Sequence, residues 1–211
     1  MTARSERRFA AGIFDLGGVL VDWDPRHLYR KLFAGDVEGM ERFLAEVTTP
    51  QWNLQMDAGR AFQGAIDELK ADHPDKTQLI QAYYDRWPEM LGRVDDGVAQ
   101  IIRDVRKAGL RVFALSNWSA ETFAIGRPLI PELELFDDIL ISGEARRTKP
   151  DKALFQLACA RFGVLPAKTF FVDDAAANVQ GARSIGLKAI QFTNAAALRS
   201  ALEALAVLGG R

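Results

Sequence analysis

The sequence predicts an α/β protein: a parallel sheet with helices on both faces, into which an all-helical segment is inserted after the first strand. Three observations predict it. From Val94 onward, short apolar runs alternate with helical stripes, as in βαβ units. Residues 25–91 carry helix-like segments and no strand-like run. The first apolar run, Ile13-Phe14 and its neighbours, stops at Asp15-Leu16-Gly17-Gly18, as a buried strand ending in a glycine turn would.

Composition bounds the rest. The 211 residues are 48% hydrophobic and 26% charged, which excludes a disordered chain and suffices for a sizeable core. With 27 Lys+Arg against 28 Asp+Glu the net charge is −1, so nothing steers the whole molecule toward nucleic acid or an anionic membrane. The single cysteine, Cys159, excludes an intrachain disulfide framework and a cysteine-based zinc cluster. No apolar run is long enough to cross a bilayer. Arg4, Arg7 and Arg8 ahead of residues 9–14 resemble the start of a signal peptide only faintly, because Asp15 interrupts the run. The expectation is a cytoplasmic protein, monomer or homodimer, with no nucleic-acid or membrane partner.

In the insertion, helices are expected over 26–34, 37–47, 58–70 and 76–87, separated by Gly35, Thr49-Pro50 and His73-Pro74. Val98, Ile101, Ile102 and Val105 mark a helix that Gly109 ends. There follow a strand at 110–115, a short helix at 120–124, a strand at 139–141, a helix at 152–162, a strand at 170–172, a helix at 175–184 and a strand at 189–192. A last helix carries Leu198, Leu202 and Leu205 on one face.

Ligands of open parallel sheets bind beyond the carboxyl ends of the strands. The residues that follow the apolar runs are Asp15, then Ser116-Asn117, then Thr148-Lys149-Pro150-Asp151, then Asp173-Asp174. Clustered carboxylates repel one another unless a cation joins them, and an all-oxygen set suits Mg²⁺. The cation and Lys149 make an anion site that Ser116 completes. Asp15 is placed to act as a nucleophile on a bound phosphoryl group. Gly17 and Gly18 allow close approach of the backbone.

These residues carry a resemblance. Phe14-Asp15-Leu16-Gly17-Gly18-Val19-Leu20-Val21-Asp22, Leu115-Ser116-Asn117, Thr148-Lys149-Pro150-Asp151 and Phe171-Val172-Asp173-Asp174 with Asn178-Val179-Gln180-Gly181-Ala182 occur in the order of the four motifs of the haloacid dehalogenase (HAD) superfamily. The chain resembles the hydrolases of that superfamily with a helical cap after the first motif, over essentially its whole length. The resemblance implies a Rossmann-like core of residues 1–22 and 93–211, and a cap of 23–92. It also implies roles. Asp15 is the nucleophile and a metal ligand, and the Gly17 carbonyl, Asp173 and Asp174 are the further ligands of Mg²⁺. Ser116 binds phosphate with the help of Asn117 and Gly18. Lys149 neutralises the nucleophile and phosphate, and Asn178 orients the Lys149 region. The implied activity is that of a phosphoric monoester hydrolase working through an aspartyl-phosphate on a small phosphorylated metabolite.

One position departs from the pattern. Most phosphatases of the superfamily have a second aspartate two residues after the nucleophile, as acid and base; here that residue is Gly17. Such help is worth about 10²–10⁴-fold in rate. Asp22, Asp24 and His27 are the nearby candidates to replace it. Without a replacement, substrates with good leaving groups are favoured, such as a sugar 1-phosphate, and Gly17→Asp should help poor leaving groups most. The same absence resembles the metal-independent 2-haloacid dehalogenases, but these have no use for the Asp173-Asp174 pair. A phospho-ligand binder that turns over weakly is the third reading. In the cap, Trp52, Asn53, Gln55, Asp57 and Arg60 form either a specificity loop or a plain helix connection, with Trp52 and Arg60 as the expected substrate contacts. Trp23 and Trp118 line the site or pack the core. His27, His73, Arg146 and Arg147 are expected at the surface, and Cys159 as an inert buried thiol.

Overall fold

The computed structural model describes residues 8–209; the expectations for Arg4, Arg7 and the outermost residues of both termini lie outside them. In chain order the chain forms β1 (Ala11–Phe14), β2 (Val21–Trp23), α1 (Arg26–Leu32), α2 (Val37–Glu46), α3 (Pro50–Asp57), α4 (Phe62–Asp72), α5 (Thr77–Asp85) and β3 (Leu91–Val94). Then come α6 (Asp96–Lys107), β4 (Arg111–Ser116), α7 (Ala120–Gly126), β5 (Asp138–Ile141), α8 (Ser142–Ala145), α9 (Lys152–Phe162), β6 (Thr169–Asp173), α10 (Ala176–Arg183), β7 (Lys188–Gln191) and α11 (Ala195–Ala204).

Five strands form one parallel sheet in the order β5-β4-β1-β6-β7. Successive side chains of a strand point to opposite faces, and here both faces are covered. Ile13 and Phe171 pack with Phe155, Ala158 and Phe162 of α9 and Val179 and Ala182 of α10. Their neighbours Phe14 and Phe170 join the other cluster, with Val98, Ile102 and Val105 of α6 and Leu198 and Leu202 of α11. That is why β1 is buried at every position and reads as a continuous apolar run. Phe14 lies opposite both Ala114 and Val172, so one residue further along, Asp15 leaves the sheet level with the ends of β4 and β6.

The predicted core strands and helices are found within a residue or two of their expected limits, helped by clear stops such as Gly109 (φ +83°) and Gly163 (φ +59°). Three expectations in the insertion need correction. The stretch 49–60 is not a plain connection: Thr49 caps the Trp52 N–H, Pro50 sits at the first helical position, and α3 follows. The next helix starts at Phe62 rather than at residue 58, because the chain turns through Gly59 at φ +92°. The insertion is also not free of strands at its edges, since β2 and β3 pair antiparallel as a two-stranded ribbon from which it leaves and to which it returns.

The insertion has its own aromatic interior. Trp52 meets Tyr83 edge-on at 5.0 Å and Phe62 at 6.2 Å, and Tyr29 lies 5.0 Å from Phe43. Such pairs add about 0.5–1.5 kcal/mol each beyond area burial.

Candidate active site

Four strand-end segments meet at one edge of the sheet. The Lys149 ammonium lies 2.7 Å from Asp15 Oδ2 and 2.7 Å from Asp173 Oδ2. Asp15 Oδ1 accepts from the Ser116 hydroxyl at 2.8 Å and from the Leu16 N–H at 2.7 Å. All four of Asp15, Ser116, Lys149 and Asp173 are buried, Asp173 completely. Asp174 is exposed at the mouth, and carboxylate oxygens of Asp15, Asp173 and Asp174 lie within 4.8 Å of one another.

Three acids therefore share one buried ammonium, which leaves the site short of positive charge. Burial holds Asp15 above the usual carboxylate range, and Asp173 pushes it the same way against Lys149. Burial, then the Asp173 charge, also raises Asp174. Burial works against the Lys149 charge, but Asp15 and Asp173 outweigh it and the ammonium is held. Two uncompensated negative charges on hard oxygen donors are what a divalent cation such as Mg²⁺ neutralises. Asp15, Asp173 and Asp174 could hold it.

Three of the expected site residues make contacts that the sequence does not specify. Asn178 does not touch the Lys149 region directly: its amide donates to Asp173 Oδ1 (2.9 Å) and Oδ2 (3.1 Å). Asn117 is the amide that reaches the Lys149 backbone. Its carboxamide accepts from the Lys149 N–H at 2.8 Å and donates to the Lys149 carbonyl at 3.1 Å, so its side chain is committed to the lysine backbone. The Gly18 N–H donates to the Val21 carbonyl, so it is committed to the turn. Gly18 is required for another reason: it has φ +73°, and a Cβ there would stand 2.7 Å from Asp174 Oδ2. Gly17 differs, since a Cβ there would meet nothing within 4 Å.

Above the row lies a cavity of about 70 Å³, bordered by Gly17, Ser116 and Asn117, by Trp23, Trp87 and Trp118, and by Asn53 and Asp57 of α3. Trp52 and Arg60 are not among its walls. Trp52 faces the aromatic interior of the insertion, against Phe62 and Tyr83. Arg60 is turned to Glu68 and Gln55, with N–O distances of 2.5 Å. Of the five residues singled out in this segment, Asn53 and Asp57 border the cavity. The usable signal was the i,i+4 spacing of Asn53 and Asp57, which puts both on one helix face. Trp23 and Trp118 do line the cavity. Asp22 is paired with His27 at 2.7 Å, and Asp24 with the Arg26 backbone and guanidinium. Arg146 and Arg147 are exposed, and burial pushes the Cys159 thiol up to about 11, the behaviour of an inert thiol.

A parallel sheet whose central strand ends in a buried, lysine-paired aspartate, beside an acidic pair, defines a hydrolase-type site. The sequence profile of the haloacid dehalogenase-like hydrolases matches residues 9–186, and the chain belongs to that family. It is 25% identical over 191 residues to the N-acetylmuramic acid 6-phosphate phosphatase of Pseudomonas aeruginosa, covering 86% of this chain and 80% of that one. It is 27% identical over 192 residues to the fructose-1-phosphate phosphatase YqaB of Escherichia coli, covering 87% and 96%. In fold it is similar to a HAD family enzyme of Bacteroides thetaiotaomicron, solved as an Asp-to-Ala mutant in complex with magnesium and inorganic phosphate. The TM-score there is 0.67 at 19% identity, over 88% of this chain and 95% of that one. Among the described residues, no helix is long and apolar enough to cross a membrane.

Proposed function

We propose that this chain is a Mg²⁺-dependent phosphatase of small phosphorylated metabolites, phosphorylated carbohydrates among them. The observation that carries the reading is the row Asp15–Lys149–Asp173 with Asp174 at its mouth. Asp15, the Gly17 carbonyl, Asp173 and Asp174 would hold the cation, which supplies charge neutralisation between nucleophile and phosphate. Ser116 orients Asp15 and is available to phosphate once the substrate enters. Lys149 lowers the cost of bringing an anionic phosphate against an anionic aspartate. Asp15 attacks phosphorus, the alcohol leaves, and water then releases phosphate from the aspartyl-phosphate.

Residues 23–92 act as the cap in this reading. Its α3 corner lies on the core: the Ser142 hydroxyl donates to the Asp57 carbonyl at 2.6 Å, and the Phe62 N–H donates to Glu121 at 2.9 Å. Such closure keeps bulk water from the first half-reaction. The named relatives support phosphate ester substrates of the sugar kind.

The test is hydrolysis of p-nitrophenyl phosphate with Mg²⁺, lost on chelation and lost in Asp15→Asn. Turnover of no activated phosphate would favour the weak binder. Halide release from a 2-haloacid in the presence of a chelator would establish the dehalogenase instead.

A further inference from the structure

We propose that Asp57 of the helical insertion is the general acid and base of this active centre, reaching the leaving group across the cavity that Gly17 leaves open. The inference rests on the phosphatase reading above and adds the group that reading lacks.

A phosphate ester with an alkyl leaving group needs a proton delivered to the departing oxygen. At the floor, Asp15 is reserved for attack, and Asp173 and Asp174 for the cation. Asp22 and Asp24 border only the outer cleft and are taken up by His27 and Arg26. Tyr83, whose phenol burial raises well above its ordinary range, donates to Asn53 Oδ1 at 3.0 Å. Among the described residues, Asp57 is the one carboxylate that borders the inner cavity together with Gly17 and Ser116.

Its setting suits proton transfer. Asp57 is 9% exposed, although it lies on an insertion helix far in sequence from the floor. Asn53 Nδ2 donates to its Oδ2 at 3.0 Å, and the Ser119 N–H of the core favours its charged form. The charged and titratable groups around it are Lys149, Asp15 and Tyr83. Burial, opposed by the Ser119 N–H and Lys149 and aided by Asp15, raises its carboxyl to about 7. It therefore holds a proton at neutral pH in part of the molecules, as an acid that must also serve as a base requires. The Asn53 amide fixes its orientation, so the proton is presented in one direction.

The step balances. As an Asp15 oxygen bonds to phosphorus, the bond from phosphorus to the leaving oxygen breaks, and that oxygen takes the proton of the Asp57 carboxyl and departs as the alcohol. The Asp57 carboxylate then takes a proton from water, whose oxygen bonds to phosphorus. The Asp15–phosphorus bond breaks, and inorganic phosphate, the Asp15 carboxylate and the Asp57 acid are left.

The experiment compares kcat/KM, which reports the first half-reaction, on p-nitrophenyl phosphate and on β-glycerol phosphate with Mg²⁺, for wild type, Asp57→Asn and Asp57→Asn/Gly17→Asp. In Asp57→Asn the value on glycerol phosphate falls about 10²–10⁴-fold and that on p-nitrophenyl phosphate far less. The double variant regains glycerol phosphate activity, because Gly17 has room for a side chain. The ratio of the two substrates on one preparation does not depend on how much of it is folded. An equal fall on both, or no fall on either, overturns the role of Asp57. Absence of wild-type turnover on p-nitrophenyl phosphate overturns the parent reading itself, which separates the two failures.

Discussion

Asn117 grips Lys149 by its backbone, accepting from its N–H at 2.8 Å and donating to its carbonyl at 3.1 Å. The ammonium at the end of that lysine sits between Asp15 and Asp173, so the amide at the end of β4 sets where the charge of another loop is delivered. Asn117→Ala should cost about 1–3 kcal/mol of stability through the orphaned backbone groups. A displacement of the ammonium of about 1 Å should lower kcat up to about 10²-fold. Chemical denaturation and steady-state kinetics check the two effects, and a stable variant with unchanged kcat would deny Asn117 its positioning role.

Lys149 is buried between two acids, so its loss leaves both uncompensated. Lys149→Gln is expected to destabilise the fold by about 3–5 kcal/mol, the usual cost of removing one partner of a buried pair, and to abolish turnover. Thermal melting shows the first and phosphate release the second.

The two adjacent glycines should respond oppositely to a side chain. Gly17→Ala meets nothing within 4 Å and should melt near wild type, within about 0.5 kcal/mol. Gly18→Ala forces a Cβ onto the Asp174 carboxylate at a left-handed φ of +73°, and should weaken Mg²⁺ binding as well as stability. Calorimetric titration of Mg²⁺ into each variant decides this.

The carboxyl of Asp57 gives stability a pH dependence whose sign is fixed. Its folded value, about 7, exceeds the ordinary 3.8, so between these limits the folded state binds more protons than the unfolded. Stability contributed by Asp57 is full at low pH, declines as pH rises from about 4 to 7, and is level above. Asp57→Asn removes that decline, and the difference in unfolding free energy between wild type and variant should move in favour of the variant over the same window. A pH-independent difference would show that the carboxyl is not held up by burial.

In α3, Trp52→Ala opens the aromatic interior of the insertion and should cost about 3–5 kcal/mol. Arg60→Ala removes a surface pair and should change stability by under about 1 kcal/mol. Neither residue borders the cavity, so KM measured on the folded fraction should stay near wild type in both. A large rise in KM for Arg60→Ala would place it at the substrate after all.

What the sequence made legible follows from physical contrast. Strand stretches covered on both faces, such as 11–14 and 170–172, are unbroken apolar runs, and the first polar residue after each, Asp15 and Asp173, marks the site edge. The catalytic floor was therefore readable. The ribbon was not, because Val21–Trp23 and Leu91–Val94 are short and carry Asp22 and Arg93 in their middles. Thr49-Pro50 looks like a separator until Thr49 is taken as a cap and Pro50 as a first helical residue. Trp52 and Arg60 attract attention by side-chain type, but which face of a helix looks inward depends on the neighbours it packs against. The partners of Asn117 and Asn178 are tertiary too, since both are amides near a strand end and only the geometry tells that one reaches the Lys149 backbone and the other the Asp173 carboxylate.

The ribbon of β2 and β3 brings the start and finish of the insertion side by side, with Val21 opposite Val94. A segment tethered in this way is modular. A roof of different size or wall chemistry, joined at those same two points, would stand over an unaltered floor, so selectivity can diverge while the phosphate chemistry stays put. If the inserted helix also brings the proton donor, a change of roof alters more than what is admitted: it alters which bonds the floor is able to break.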